Sequence, residues 1–356
     1  MGVLKALVQF YPRNHHIPFD ILCGTSAGAI NATSIATHAA CFHLGVRKLD
    51  WVWRHFTTDK VYQSSLTGVG KHLLNMAVKG LQHDKVSTDA PSLLDNQPLR
   101  DLLNQLIDFK RIDRNIHLGA LTAISVDASC YNNSKSYSFF QASHQIENWQ
   151  RARRYGIKTL LNTDHLMASS AIPMVFPSIK LNGRYFGDGS VHQLSPLSSP
   201  IHLGASKLFI INLDSPHKTN DKELQHHPKT ATIAGHLLDT IFSDTLNSDL
   251  ERLQRVNKTL NLITQADRNK LNLKKIETLV IKPSEDLSAI AARYYDEMPM
   301  AIRHLLKLIG NNRQSDSSIV SYLLFEKAYT SALIDLGYHD AMSQIDSIKN
   351  FFEITK

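Results

Sequence analysis

The sequence predicts an α/β protein: a three-layer sandwich with a mostly parallel central sheet, extended by a C-terminal helical region. Three observations lead there. Strand-like apolar runs at Pro18–Cys23, Leu118–Val126 and Lys207–Leu213 alternate with helical stretches, the pattern of a sheet covered on both faces. The first of these runs passes through a glycine-rich turn straight into a helix of small residues, a strand–turn–helix unit. The 356 residues are 43% hydrophobic and 20% charged, ordinary for a globular protein and too many for most single cores.

The elements follow in order. Val3, Leu4, Leu7 and Val8 fall at helical spacing, and Pro12 and Asn14 stop that helix near Tyr11. Pro18–Cys23 is a short buried strand, and residues from about Ala29 to Ala40 form the small-residue helix. Trp51 to Gly80 reads as mostly helical, and Pro98–Leu106 begins another helix after a polar stretch at Val86–Gln97. Leu118–Val126 and Ser136–Gln141 flank a turn at Tyr131–Lys135, so the second is a hairpin partner of the first. Asp164–Ala171 is a short helix ended by Pro173. Asn182-Gly183 is the strongest local hairpin signal in the chain. Lys207–Leu213, a continuous apolar run, is expected as a central strand.

The composition shifts after Asp214, which divides the chain into residues 1–215 and a mostly helical 216–356. Ser215–Lys229 is polar and histidine-rich, a surface loop. Thr230 to about Ala266 is helical, Leu279–Ile281 is strand-like, and Ile319–Ser347 is a long helix interrupted at Leu336-Gly337-Tyr338. There are no internal repeats.

Composition also bounds the partners. No apolar run reaches the roughly 20 residues of a spanning helix. Lys5, His15 and His16 break any early signal-like run. The three cysteines lack metal spacing and read as buried small residues in a reducing cytoplasm. A net charge of +7 admits nucleic acid or an anionic membrane. The basic residues lie in short clusters, such as Arg151 to Arg154, without a nucleic-acid module around them, so no nucleic acid is expected. Basic residues near an anionic bilayer each gain about 1 kcal/mol, which leaves peripheral contact at the inner membrane face as the fitting use of the charge. Met300–Ile309 has an amphipathic pattern that suits either a membrane interface or a protein core.

The chemistry is concentrated at Gly24-Thr25-Ser26-Ala27-Gly28. This is a G-x-S-x-G elbow between an apolar strand and a helix, the context in which a serine is presented as a nucleophile. The turn is sharp, so residues two before and two after the serine are expected to crowd its backbone, which selects glycine. The helix N-terminus favours the negative charge that develops in acyl transfer. A bare G-x-S-x-G arises by chance in roughly one chain of this length in ten; the strand–turn–helix setting lowers that. Without chemistry, the same motif is a glycine-rich turn packing a helix on a sheet.

A serine nucleophile needs a base. Among 18 histidines none sits in a triad motif; His165, His192 and His202 are the best placed. The competing candidate is Asp188, held in Gly187-Asp188-Gly189-Ser190 just after a strand. Alone, that is a common β-turn; 162 residues after the elbow, it is a candidate partner for Ser26.

Taken together, Gly24-Thr-Ser26-Ala-Gly28, Ala168-Ser-Ser-Ala-Ile-Pro-Met-Val-Phe-Pro177 and Asp188-Gly-Ser-Val-His-Gln-Leu-Ser-Pro196 resemble the patatin-like phospholipases, particularly bacterial members. Ile201–Ala205 and Asp95–Leu99 are similar to that group as well. The resemblance covers about residues 1–215. It implies a Ser–Asp dyad without histidine, metal or cofactor: Ser26 attacks an acyl ester of a membrane lipid and Asp188 takes its proton. An aspartate near its ordinary pKa of ~3.9 is a poor base, so burial has to raise it. The alternative is a non-catalytic lipid- or acyl-binding protein on the same fold. Two departures stand out. The second motif of the family ends in Gly or Ala, where this chain has Ser190. The family's glycine-rich oxyanion loop precedes a helix ending Gly-Val-Leu-Lys-Ala-Leu, and here the sequence opens at Met1-Gly-Val-Leu-Lys-Ala-Leu7. The expectation is therefore an incomplete oxyanion hole, impaired activity and an unpaired sheet edge beside Ile21–Cys23, most simply through a start assigned too far downstream.

Overall fold

A computed structural model describes residues 1–71, 74, 92–214, 245–264, 273–308 and 319–354. The expected loop at Ser215–Lys229 lies outside them, as do the last part of Trp51–Gly80, the first half of Val86–Gln97 and both ends of Thr230–Ala266.

Strand β1 (Ile21–Thr25) runs parallel to β2 (Ala123–Cys130), with Thr25 opposite Asp127. β2 turns at residues 131–134 into antiparallel β3 (Lys135–Ala142). β4 (Trp149–Arg151) pairs with β5 (Arg154–Lys158), and β5 adds in parallel to β3. β6 (Ile179–Leu181) and β7 (Arg184–Asp188) form the Asn182-Gly183 hairpin, and the end of β7 pairs antiparallel with β2, Asp188 opposite Ala128. The sheet is thus mixed, not mostly parallel as expected. The cause is local: connections of two to four residues can only join antiparallel strands, and three such hairpins, β2–β3, β4–β5 and β6–β7, supply six of the seven strands.

A second correction concerns the run at Lys207–Leu213. β8 (Lys207–Ile211) pairs in parallel with β9 (Glu277–Ile281) as a separate two-stranded sheet. It is not central, and both ends of β8, Lys207 and Ile211, are exposed. Among the described residues, β1 likewise has a strand on one side only, which is the open edge expected there.

Helices cover both faces of the larger sheet. Alternation along β2 sends Ile124, Val126, Ala128 and Cys130 into the main core and Ala123 into a smaller one with Phe140 and Leu203. On the main face lie α1 (Gly2–Leu7), α2 (Ala27–Thr37), α3 (Phe42–Arg54), α4 (Gln97–Leu106), α5 (Lys110–His117) and α6 (Thr163–Ser169). α3 buries Phe42, Val46 and Leu49 at helical spacing, each side chain contributing ~1.5–3 kcal/mol. α6 opens on a reciprocal capping box: Asn162 accepts from the His165 N–H, and the His165 ring bonds the Asn162 N–H. On the other face, α7 (Ser198–His202) packs near β1, while α8 (Thr245–Leu262) joins Leu253 to Leu208 of β8 in a smaller cluster.

The remaining helices are α9 (Leu287–Arg293), α10 (Met300–Leu308), α11 (Ile319–Leu323), α12 (Lys327–Ser343) and α13 (Ile345–Phe351). They bury Ile290, Ile302, Leu306, Val320 and Ile348 in the same main core as α1–α6. α10 therefore spends its apolar face inside the protein, with Met300 the exposed exception. α12 runs unbroken through Leu336-Gly337-Tyr338, and the interruptions fall instead at residues 324–326 and at Gln344. Gly337 is no breaker here, because α12 lies flat against α1. A Cβ on Gly2 would sit 1.9 Å from the Ile334 carbonyl oxygen. The two backbones touch where neither residue has a side chain. Among the described residues, no helix is long and apolar enough to cross a membrane.

Candidate active site

Ser26 occupies the bend between β1 and α2 with φ 54° and ψ −129°. A non-glycine residue there is strained by ~1–3 kcal/mol, and the surroundings hold it in place. Its N–H donates to Ser169 Oγ at 2.9 Å, and Ser169 Oγ–H donates to the Asp127 carbonyl at 2.6 Å. Its own carbonyl accepts from the Ala29 N–H at 2.9 Å, starting α2. First-turn N–H groups have no intrahelical partner, and Ala27 and Gly28, which carry them here, are exposed.

The two elbow glycines differ. A Cβ on Gly24 would lie 2.4 Å from the Gly28 carbonyl oxygen and 2.6 Å from Ala29 Cα, so crowding does select glycine there. A Cβ on Gly28 would meet nothing within 4 Å, which corrects the expectation of crowding on both sides. Gly24→Ala should accordingly cost about 1–3 kcal/mol by displacing backbone. Gly28→Ala should gain about 0.4–1 kcal/mol. Urea denaturation of the two variants checks both signs.

Asp188 ends β7 and is fully buried. Its N–H donates to the Ala171 carbonyl at 2.9 Å, and its Oδ1 accepts from the Ser190 N–H at 3.0 Å. Burial pushes its carboxyl up to about 6; hydrogen bonding from the Ser26 side chain, then from the backbone and side chain of Ser190, pulls against that rise. Ser26 and Asp188 thus come together. Oδ2 still lacks a partner of full hydrogen-bond geometry, so the serine is near but not aligned. Ser190, the departure from the family motif, adds a hydroxyl that favours the charged base. Gly189 is required by close approach: a Cβ there would fall 2.4 Å from the Asp127 carbonyl oxygen and 2.7 Å from Thr25 Cγ2.

None of the three candidate histidines bonds to Ser26. His165 is engaged in the α6 cap and packs edge-on against Phe139; burial lowers its pKa to about 4. His202 stacks on Trp149 and binds the Ser198 carbonyl. The His192 N–H donates to Ser129 Oγ.

Asp127 lies outside the motifs, and Ser169 and Gln193 lie inside the quoted segments without their contacts being readable there. Asp127 is buried beneath the elbow, and desolvation raises its carboxyl to about 6. One signal was present: a carboxylate in the middle of an apolar strand, in Ala-Ile-Ser-Val-Asp-Ala-Ser-Cys130.

The fold and the strained serine define an α/β protein with a sharp strand–turn–helix elbow at Ser26. The sequence profile of the patatin-like phospholipases matches residues 1–201. With more than half of its length matched, the chain belongs to the patatin-like phospholipase family. No curated protein matches it.

Proposed function

We propose that the chain hydrolyses acyl esters of phospholipids or related lipids through a Ser26–Asp188 dyad. The observation that carries this reading is a positive-φ serine at a helix start beside a fully buried aspartate whose pKa is raised. Ser26 Oγ attacks the acyl carbonyl carbon as its proton passes to Asp188. The N–H groups of Ala27 and Gly28 offer the α2 end to the oxyanion. Collapse expels the alcohol of the lipid, which leaves with the proton from Asp188. Water then attacks the acyl-serine, Asp188 takes its proton, and collapse returns a proton to Ser26 Oγ and frees the fatty acid.

The base must be ionised, so turnover of a soluble short-chain ester should rise with pH through about 6 and level off above it. Ser190→Gly removes a bond that favours the charged carboxylate, so the midpoint should move to higher pH. The direct test is labelling by a fluorophosphonate probe. Attachment at Ser26 supports the dyad, and a chain that stays unlabelled at pH 8 is not this enzyme. A second reading, a lipid-binding protein without turnover, is favoured by the open edge of β1. It predicts fatty-acid or vesicle binding with no labelling.

A further inference from the structure

β2 alternates with period two, and on one face three successive side chains, Ser125, Asp127 and Ser129, are polar although every residue of the strand is buried. Each reaches into the segment that follows the base. Ser125 Oγ meets Ser199 Oγ at 2.7 Å, at the start of α7. Ser129 Oγ donates to the Gly189 carbonyl at 2.9 Å and accepts from the His192 N–H at 3.0 Å. Between them, Asp127 Oδ2 accepts from Gln193 Nε2 at 2.5 Å. The other end of the same amide accepts from Thr25 Oγ1 at 3.0 Å, one residue before the nucleophile. Both ends of the Gln193 amide are therefore used, and its orientation is fixed. Asp127 in turn supports the elbow from its backbone, through Ser169 to the Ser26 N–H.

We infer that Gln193 is a positioning residue: seated on Asp127, it locks the strand end that carries the nucleophile to the segment that carries the base. The inference rests on the dyad reading above. β7 meets β2 at only three residue pairs, and the base sits at the last of them. Beyond that point the Asp188 turn departs from the sheet, and polar contacts to β2 fix where it lies relative to Thr25 and Ser26. A seam of this kind controls distance between the two groups without touching substrate. Misplacement by about 1 Å is worth on the order of 10²-fold in rate.

The test uses the whole chain and the rate of fluorophosphonate attachment to Ser26. Gln193→Ala should slow attachment about 10- to 100-fold with the half-saturating probe concentration unchanged. Asp127→Asn keeps an acceptor for the amide and should stay within a few-fold of the parent. Gln193→Glu places a carboxyl against Asp127, and the bridge re-forms only when the two share a proton. Its rate relative to the parent should therefore recover as pH falls from 8 to 5. Cys23 and Arg154 also lie near Asp127, but they are common to both proteins and cancel in the ratio. A purely structural role predicts no such recovery. Hydrogen exchange at residues 22–28 supplies a readout independent of chemistry: Gln193→Ala should raise it there and leave α12 unchanged. Unaltered attachment and unaltered exchange overturn the proposal. If the parent is never labelled, the dyad reading falls, and exchange alone decides the anchoring. If Gln193→Ala does not fold, Gln193→Glu carries the comparison.

Discussion

Ser26→Ala should abolish ester hydrolysis, by roughly 10³-fold or more, while leaving the fold and its stability nearly unchanged. The hydroxyl is the only atom lost. The N–H to Ser169 Oγ and the carbonyl that starts α2 remain. Ser26→Gly should be equally inactive and yet more stable. Glycine adopts φ 54° without penalty, so the variant should recover about 1 kcal/mol of the strain the native serine carries. Calorimetry beside an ester assay separates the effects. Two inactive variants of different stability place the strain at the nucleophile itself. Retained turnover in either one would refute Ser26 as the nucleophile.

Asp188→Asn should combine loss of hydrolysis with increased stability at neutral pH. The sign follows from the raised pKa. An aspartate at about 6 when folded and near ~3.9 when unfolded binds more proton in the folded state between those limits. Its contribution to stability is present below about 4 and is lost as pH rises through the window to about 6. At pH 7 the folded protein bears the cost of a buried charge. At ~1.4 kcal/mol per unit, a rise of about two units amounts to about 3 kcal/mol. Asparagine is close in shape and keeps an oxygen for the Ser190 N–H, so it removes that cost. The difference between variant and parent in urea midpoint should be largest at pH 7–8 and vanish near pH 4. A variant that is destabilised at pH 7 would mean that the Asp188 charge is better compensated than its surroundings indicate.

What was legible in the sequence was local. Ser26 and Asp188 each sit in a short motif whose spacing encodes a turn, and the structure brings the two together. The capping residues, hairpins and most helix positions are local in the same sense. What escaped depends on register between distant segments. Asp127 supports the elbow because β1 and β2 align Thr25 with Asp127, and Gln193 joins them because the chain after β7 crosses that point. No window of the sequence contains all three. The apolar run at β8 shows why burial alone misleads: Leu208 is buried, but by α8 and neighbouring segments, so the strand reads as central without being so. Gly28 and Gly337 were misread for a related reason. A glycine advertises close approach or a break, and only the neighbour in space tells which, or neither, applies.

The contact between α1 and α12 has a consequence for synthesis. Gly2 meets Ile334 across more than 300 residues of chain. At about 5–20 residues per second, the ribosome delivers the second helix tens of seconds after the first. Throughout that interval Val3, Ala6 and Leu7, all buried in the finished protein, have no α12 to rest on. Long-range closure of this kind slows folding. The apolar face of α1 therefore stays without its final partner until the far end of the chain has been made.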